Sequence, residues 1–329
     1  MLAVRFYGIR DVRIEDVPIP AHGPEEVLIK VKYGGICGSD LHIFKKGMFV
    51  GSTPVVMGHE FSGIIEKVGS KVKDLSPGDY VVGDPRVPCN KCKWCQEGLY
   101  HLCPELGFIG EVSPGCFAEY LAMDAKKLFK IPSPIDFKVA TLVEPLAVAL
   151  HIVQYAHLSP NETIGIVGAG PIGLLALLVA QMITKDITVI DISPFRLSKA
   201  KLIGANKVLQ EFPLDPSEKV DVVIEVTGSK ETLNKSLEWI NPGGRLVLGG
   251  IYENKVQLDP NNIIFKEIKL TGINAYNTED IKKAIELVSN NYINVEVIIT
   301  DILPLSEAVK GFELLIAAVK KPIKILLEA

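Results

Sequence analysis

At 329 residues the chain is about twice the length over which one hydrophobic core grows comfortably, so two domains are expected. Hydrophobic residues make up 48% and charged residues 22% at a net charge of −4, which excludes a disordered or fibrous chain. The lysines are scattered among acids, so no polyanion-binding surface and no nucleic-acid partner are expected.

Residues 1–13 alternate apolar and charged side chains without an apolar core of signal-peptide length, and a cytoplasmic location is expected. Six cysteines in that setting suit metal ligation better than disulfides. The run 164–184 carries no charge and is long enough to cross a bilayer, but four glycines and a proline interrupt its first half. A strand, a glycine turn and a buried helix account for the same apolarity, and no membrane partner is expected.

In chain order, short strands are predicted over 27–33, 61–68, 80–82 and 117–122, punctuated by Gly34-Gly35 and by Ser76-Pro77-Gly78-Asp79. Residues 1 to about 130 therefore read as an all-β region. From 137 to 156 the pattern turns helical. Strands and helices then alternate: a strand at 163–167, a helix from Pro171, a strand at 187–191, a helix from Pro194, a strand at 220–226, a helix from Glu231 and a strand at 245–248. Alternation of this kind predicts a parallel sheet covered by helices on both faces, an α/β fold. The alternation ends near 270–272. Helices follow at 278–289 and 306–319, the latter with Val309, Phe312 and Ile316 on one face, and then an apolar strand at 323–327. Domain boundaries are placed near 145 and 272 by this change of pattern.

The segment Gly168-Ala-Gly170-Pro171-Ile172-Gly173 puts glycines at the first, third and sixth positions where a strand turns into a helix. They permit a tight turn, close backbone approach to a pyrophosphate and close helix packing, and the helix N-terminus offers unpaired N–H groups to the phosphates. Asp191, eighteen residues beyond Gly173, can accept hydrogen bonds from the adenosine ribose and would repel the extra phosphate of NADP, so NAD is the expected cofactor. Nearby Arg196 is the residue type a phosphate would favour. The alternative for Asp191 is an acid capping the helix from Pro194.

Cys89, Cys92, Cys95 and Cys103 stand within fifteen residues, a spacing that lets one loop wrap a tetrahedral ion. Four thiolates close the shell of a zinc, which makes the site structural; an iron–sulfur cluster is the competing reading. Cys116 stands apart and reads as a buried thiol.

Three further pieces are distant in sequence: Cys37-Gly-Ser39-Asp40-Leu-His42, Gly58-His59-Glu60 and Glu144-Pro145-Leu146. Their order, with the four-cysteine lobe and Phe117-Ala-Glu-Tyr120 between the last two and the glycine turn following, resembles the zinc-dependent medium-chain alcohol and polyol dehydrogenases. It is most similar to the branch containing sorbitol, butanediol and threonine dehydrogenases, over essentially the whole chain. The resemblance implies a β-rich GroES-like, zinc-bearing catalytic domain at 1–145 and 273–329, a doubly wound Rossmann cofactor domain at 146–272, and an active site in the cleft between them. It implies two zinc ions per chain, the catalytic one on Cys37 and His59 with Glu60 as an exchangeable third ligand. Glu144 stands where simple alcohol dehydrogenases have a cysteine ligand, and binds zinc or holds its water.

By the same resemblance Ser39 and His42 form a proton relay, while Thr227-Gly228 and Gly249 to Ile251 are strand ends facing the nicotinamide. For His42 the alternative is an ordinary surface residue. Zinc would act as a Lewis acid on an alcohol oxygen, Ser39 would take the hydroxyl proton towards His42 and solvent, and hydride would pass to NAD. The expected substrate is a small secondary alcohol oxidised to a ketone. Asn274 and Tyr276 supply polar groups for a second oxygen, and Ala275 replaces the arginine that sorbitol dehydrogenases carry, so a short vicinal diol is favoured. L-Threonine 3-dehydrogenase is the alternative activity, and a non-catalytic NAD- and zinc-binding protein the alternative class. The family implies a homodimer or homotetramer.

Overall fold

The computed structural model describes residues 1–132, 135–317 and 322–329. The chain divides into two compact units: 1–144 with 277–292 and 299–329, and 145–276 with 293–298.

In the first unit the strand Glu26–Gly35 is central. It pairs antiparallel with Glu60–Val68 along its length, with Tyr120–Asp124 through residues 26–30 and with Lys324–Glu328 through residues 33–35. Leu128–Lys130, Tyr80–Gly83 and Ile299–Pro304 complete this seven-stranded sheet. A hairpin of Leu2–Gly8 with Asp11–Asp16, extended by Val55–Val56, forms a second sheet. The core between them gathers Val4, Phe6, Ile29, Phe44, Phe117, Phe312 and Ile325, with the Phe44 and Phe312 rings stacked at 5.4 Å.

Several expectations shift here. The all-β reading of the first 130 residues misses the helix Gly38–Lys46, which Cys37 and Asp40 start with a reciprocal capping box and left-handed Gly47 ends. The strand predicted at 117–122 lies at Tyr120–Asp124. Phe117 instead makes backbone bonds with Val4 and Met57. The helical run 137–156 breaks at Leu142 into Phe137–Thr141 and Val143–Ala156. The helix predicted at 306–319 is a 3-10 turn followed by Ala308–Ile316, and its last two predicted residues lie outside the described residues. The parallel partner of the last strand, Ile299–Pro304, was not anticipated.

The second unit is a six-stranded parallel sheet in the order Lys207–Leu209, Ile187–Ile190, Ile164–Val167, Val220–Glu225, Ile240–Leu248, Lys269–Gly272. The chain runs outwards from Ile164–Val167 to one edge and then returns to its other side. The topological switch point therefore lies between Ile164–Val167 and Val220–Glu225, and ligands of such sheets bind beyond the strand ends there. The uncharged run 164–184 is the first of these strands and the helix Pro171–Ala180, whose interior residues are nearly all buried. Among the described residues no helix is long and apolar enough to cross a membrane.

Candidate active site and metal centres

Cys37 precedes the helix Gly38–Lys46, and its N–H donates to the Asp40 carboxylate at 2.9 Å. His59 and Glu60 lie where the strand Glu60–Val68 begins, 4% and 1% exposed. The Cys37 sulfur and the donor atoms of His59 and Glu60 all lie within 4.8 Å of one another. This is the thiolate, imidazole and carboxylate set that suits zinc. The surroundings call for a cation. Burial alone would lower the His59 pKa, yet the Asp40 carboxylate and Cys37, with help from Glu144, hold it well above the ordinary value. Asp40 Oδ1 stands 4.0 Å from His59 Nδ1, on the side from which a carboxylate orients a ligating imidazole. The Phe108 ring meets His59 edge-on at 5.7 Å.

Glu144, in the first turn of Val143–Ala156, is buried but lies outside the set of donors within 4.8 Å. Its charge still reaches His59. Ser39 and His42 are three residues apart on one helix, so they share a face, and both are half-buried.

The sulfur atoms of Cys89, Cys92, Cys95 and Cys103 also lie within 4.8 Å of one another, with Cys92 and Cys95 at 3.5 Å and Cys89 and Cys95 at 3.9 Å. The edge of a zinc–sulfur tetrahedron is roughly 3.8 Å, given Zn–S bonds near 2.3 Å, so the set fits one ion. An iron–sulfur cluster would spread its ligands farther apart. Backbone N–H groups of Lys91 and Cys92 bring the Cys89 thiol down to about 7, which favours the ligating thiolate. Cys116 is buried and donates its S–H to the Glu60 carbonyl.

In the second unit Gly168 has φ +103°, and a Cβ on Gly173 would lie 1.8 Å from the Gly168 carbonyl, so both positions require glycine. A Cβ on Gly170, the N-cap of Pro171–Ala180, would meet no protein atom within 4 Å, which leaves that face of the turn open to a pyrophosphate. Asp191 accepts from the Ala169 N–H and the Ser193 N–H, both at 2.8 Å, and Arg196 lies 3.9 Å from it. Ser193 is the N-cap of the helix Pro194–Ile203, and Asp191 bonds the N–H of that residue from two positions earlier. Thr227, Gly228, Gly249 and Ile251 follow the ends of Val220–Glu225 and Ile240–Leu248. Asn274 is exposed and Tyr276 fully buried.

Four residues were given no role at the sequence level. Asp40 sits inside the Cys37 motif, where its position as the third helical residue is a capping signal. Lys324 is the one charge in the interior of an apolar run, and it is buried against Glu60. Glu111 is 6% exposed on a loop next to the His59 segment, where burial raises its carboxyl and the charge of His59 acts against that rise. Glu225 ends a strand at the switch point and is fully buried.

The Alcohol dehydrogenase GroES-like domain matches residues 23–133, and the Zinc-binding dehydrogenase domain matches residues 171–290. The D-xylulose reductase A of Aspergillus oryzae is 34% identical over 324 residues, covering 93% of this chain and 90% of that protein. The structure of 2R,3R-butanediol dehydrogenase from Bacillus subtilis superposes with a TM-score of 0.91 at 32% identity, over 100% of this chain and 99% of that one. A Sinorhizobium meliloti chain bound to NADP superposes with a TM-score of 0.93 at 32% identity over the same shares. The chain belongs to the zinc-dependent medium-chain alcohol and polyol dehydrogenases. It is an NAD-dependent oxidoreductase that converts a secondary alcohol to a ketone, as the family resemblance implied.

Proposed function

We propose that the substrate is a vicinal diol or short polyol, oxidised at a centre formed by Cys37, His59 and Glu60. The first unit is then the catalytic domain and the second the cofactor domain. The observation that carries this reading is the convergence of those three donors in a buried, anion-rich setting, with the Glu144 carboxylate outside the set but near enough for its charge to act on His59. Bound zinc supplies a Lewis acid for the alcohol oxygen and NAD the hydride acceptor.

The chain's own residues do the rest. Asp40 orients the His59 ring, and Ser39 takes the hydroxyl proton and passes it to His42 and solvent along one helix face. A carboxylate at 144, in place of a permanently bound thiolate, gives the second hydroxyl of a diol a hydrogen-bond partner. The similarity to xylulose reductase and butanediol dehydrogenase supports a substrate with neighbouring oxygens. Gly168, Gly170, Pro171, Ile172 and Gly173 hold the pyrophosphate and Asp191 the adenosine ribose, while Cys89, Cys92, Cys95 and Cys103 hold a second, structural zinc. A homo-oligomer in the cytoplasm completes the proposal.

Metal analysis together with NADH formation on xylitol, sorbitol, 2,3-butanediol, threonine and simple secondary alcohols tests it. Two zinc ions per chain and turnover fastest on a diol or polyol are expected; preference for threonine or an isolated hydroxyl would contradict it.

A further inference from the structure

Glu225 is the last residue of Val220–Glu225, beside the switch point, and its side chain is 0% exposed. Buried acids need partners. Those of Glu225 are all donors, and they come from two different loops and the start of a helix. From the loop after its own strand, the Thr227 N–H donates to Oε1 at 2.8 Å, the Thr227 hydroxyl bonds to the same oxygen, and the Gly228 N–H approaches Oε2 at 3.4 Å. The Thr232 hydroxyl, at the start of the helix Lys230–Trp239, donates to Oε1 at 3.0 Å. From the loop after the neighbouring strand, the Tyr252 hydroxyl donates to Oε2 at 2.6 Å. The main chain of Glu225 repeats the pattern, its carbonyl accepting from Gly249 at 2.9 Å and Gly250 at 3.3 Å. No ion pair to Glu225 is found among the described residues.

The two loops touch directly. A Cβ on Gly228 would lie 2.1 Å from the Ile251 carbonyl, and one on Gly250 would lie 2.3 Å from the Gly228 nitrogen. They are therefore pressed together at a place where neither carries a side chain, and the carboxylate beneath them fixes both. Burial and the Glu225 carboxylate raise the Tyr252 pKa, so its hydroxyl stays a donor across the working pH range.

We propose that Glu225 is the positioning residue of the nicotinamide half of the cofactor site, tying Thr227-Gly228 to Gly249–Tyr252 in the geometry the ring meets. The proposal rests on the reading of those strand ends as nicotinamide-facing. The phosphate turn at Gly168–Gly173 and Asp191 receive none of these bonds, and the turn meets the tied loop only by packing, Gly168 against Thr227 and Gly173 against Val226.

That difference in bonding supplies the test. NADH and ADP-ribose, which lacks the nicotinamide, are titrated against the holoenzyme and against Glu225→Gln, Tyr252→Phe and Thr232→Val. Glutamine can keep its oxygen towards the Thr227 N–H, but it turns a donor towards Gly228, whose N–H cannot reverse. Loss of one such charge-assisted bond corresponds to about tenfold in affinity. Glu225→Gln is expected to weaken NADH about tenfold with ADP-ribose unchanged, and Tyr252→Phe to follow in the same direction by less. Equal weakening of both ligands would mean a merely structural role and overturn the proposal, as would no change in either. If Glu225→Gln does not fold, Tyr252→Phe and Thr232→Val decide by the same comparison. Failure of the parent protein to bind ADP-ribose would instead contradict the nucleotide-site reading itself, a result separable from the other two.

Discussion

The ammonium of Lys324 is ion-paired with the carboxylate of Glu60, and both side chains are 1% exposed. Lys324 also donates to the Ile36 carbonyl at 2.9 Å, one residue before Cys37, so a single cation from the last strand braces two of the segments that carry the candidate donors. Burial opposes its charge, but Glu60 and Cys37 hold its pKa above the ordinary lysine value. In the proposed function Glu60 is shared between this fixed cation and the metal, and that sharing suits an exchangeable ligand.

Lys324→Met removes the fixed cation from beside the buried Glu60 carboxylate, which a bound metal would then compensate in its place. Breaking a buried pair from one side costs about 3–5 kcal/mol. Urea denaturation should show that loss in chelator-treated protein and a smaller one in the zinc-loaded form. Equal losses in the two would show that Glu60 does not turn to the metal.

The two cysteine sites should separate on mutation. Cys103→Ser opens the four-sulfur shell, so the protein should lose one zinc per chain and unfold at lower temperature. Cys37→Ala should abolish turnover while NADH still binds by fluorescence titration. A single zinc per chain in fully active enzyme would contradict this division.

Asp191 is held by two backbone N–H groups with Arg196 at 3.9 Å, so its charge is partly balanced by that guanidinium. Asp191→Gly leaves that arginine unopposed. The ratio of kcat/KM for NADP to that for NAD should rise by about tenfold or more. A parent enzyme already preferring NADP, the cofactor held by the Sinorhizobium meliloti chain, would show that Arg196 outweighs the carboxylate.

Burial raises the Glu111 carboxyl from 4.5 to about 7. The folded state then keeps a proton the unfolded state has released. This contribution is complete below about pH 4.5 and is lost as pH rises through about 7, by about 3 kcal/mol at most. Glu111→Gln should remove that part of the decline in a pH series of denaturation curves. Bound zinc should shrink the effect, since a cation near His59 favours the charged form. Parallel curves for parent and variant in metal-free protein would refute the assignment.

What the sequence made legible was whatever depends on neighbours in the chain. The glycine turn could be read because its demands at Gly168 and Gly173 are met within six residues. The four-cysteine lobe could be read because one loop supplies every ligand. The convergence of Cys37 with His59 could be expected only through family resemblance, since no local pattern brings the two segments together. The Lys324–Glu60 pair spans almost the whole chain and announced itself only as a charge inside an apolar strand. Glu225 falls inside the strand predicted at 220–226 and carries no signal of its own, because its partners at Thr232 and Tyr252 declare nothing until the sheet is formed. The helix Gly38–Lys46 was hidden for a different reason: its capping signals coincide with the ligand motif, and the turn residues around it read as a β region.

The most direct test of the account compares kcat/KM for 2,3-butanediol with that for 2-butanol, NAD being the oxidant, in the parent enzyme and in Glu144→Ala. The two alcohols differ in the second oxygen alone. The account predicts at least about tenfold preference for the diol, the worth of one well-placed hydrogen bond, and a narrowed ratio in the variant. Equal rates on the two alcohols, or a ratio untouched by the loss of Glu144, would contradict it.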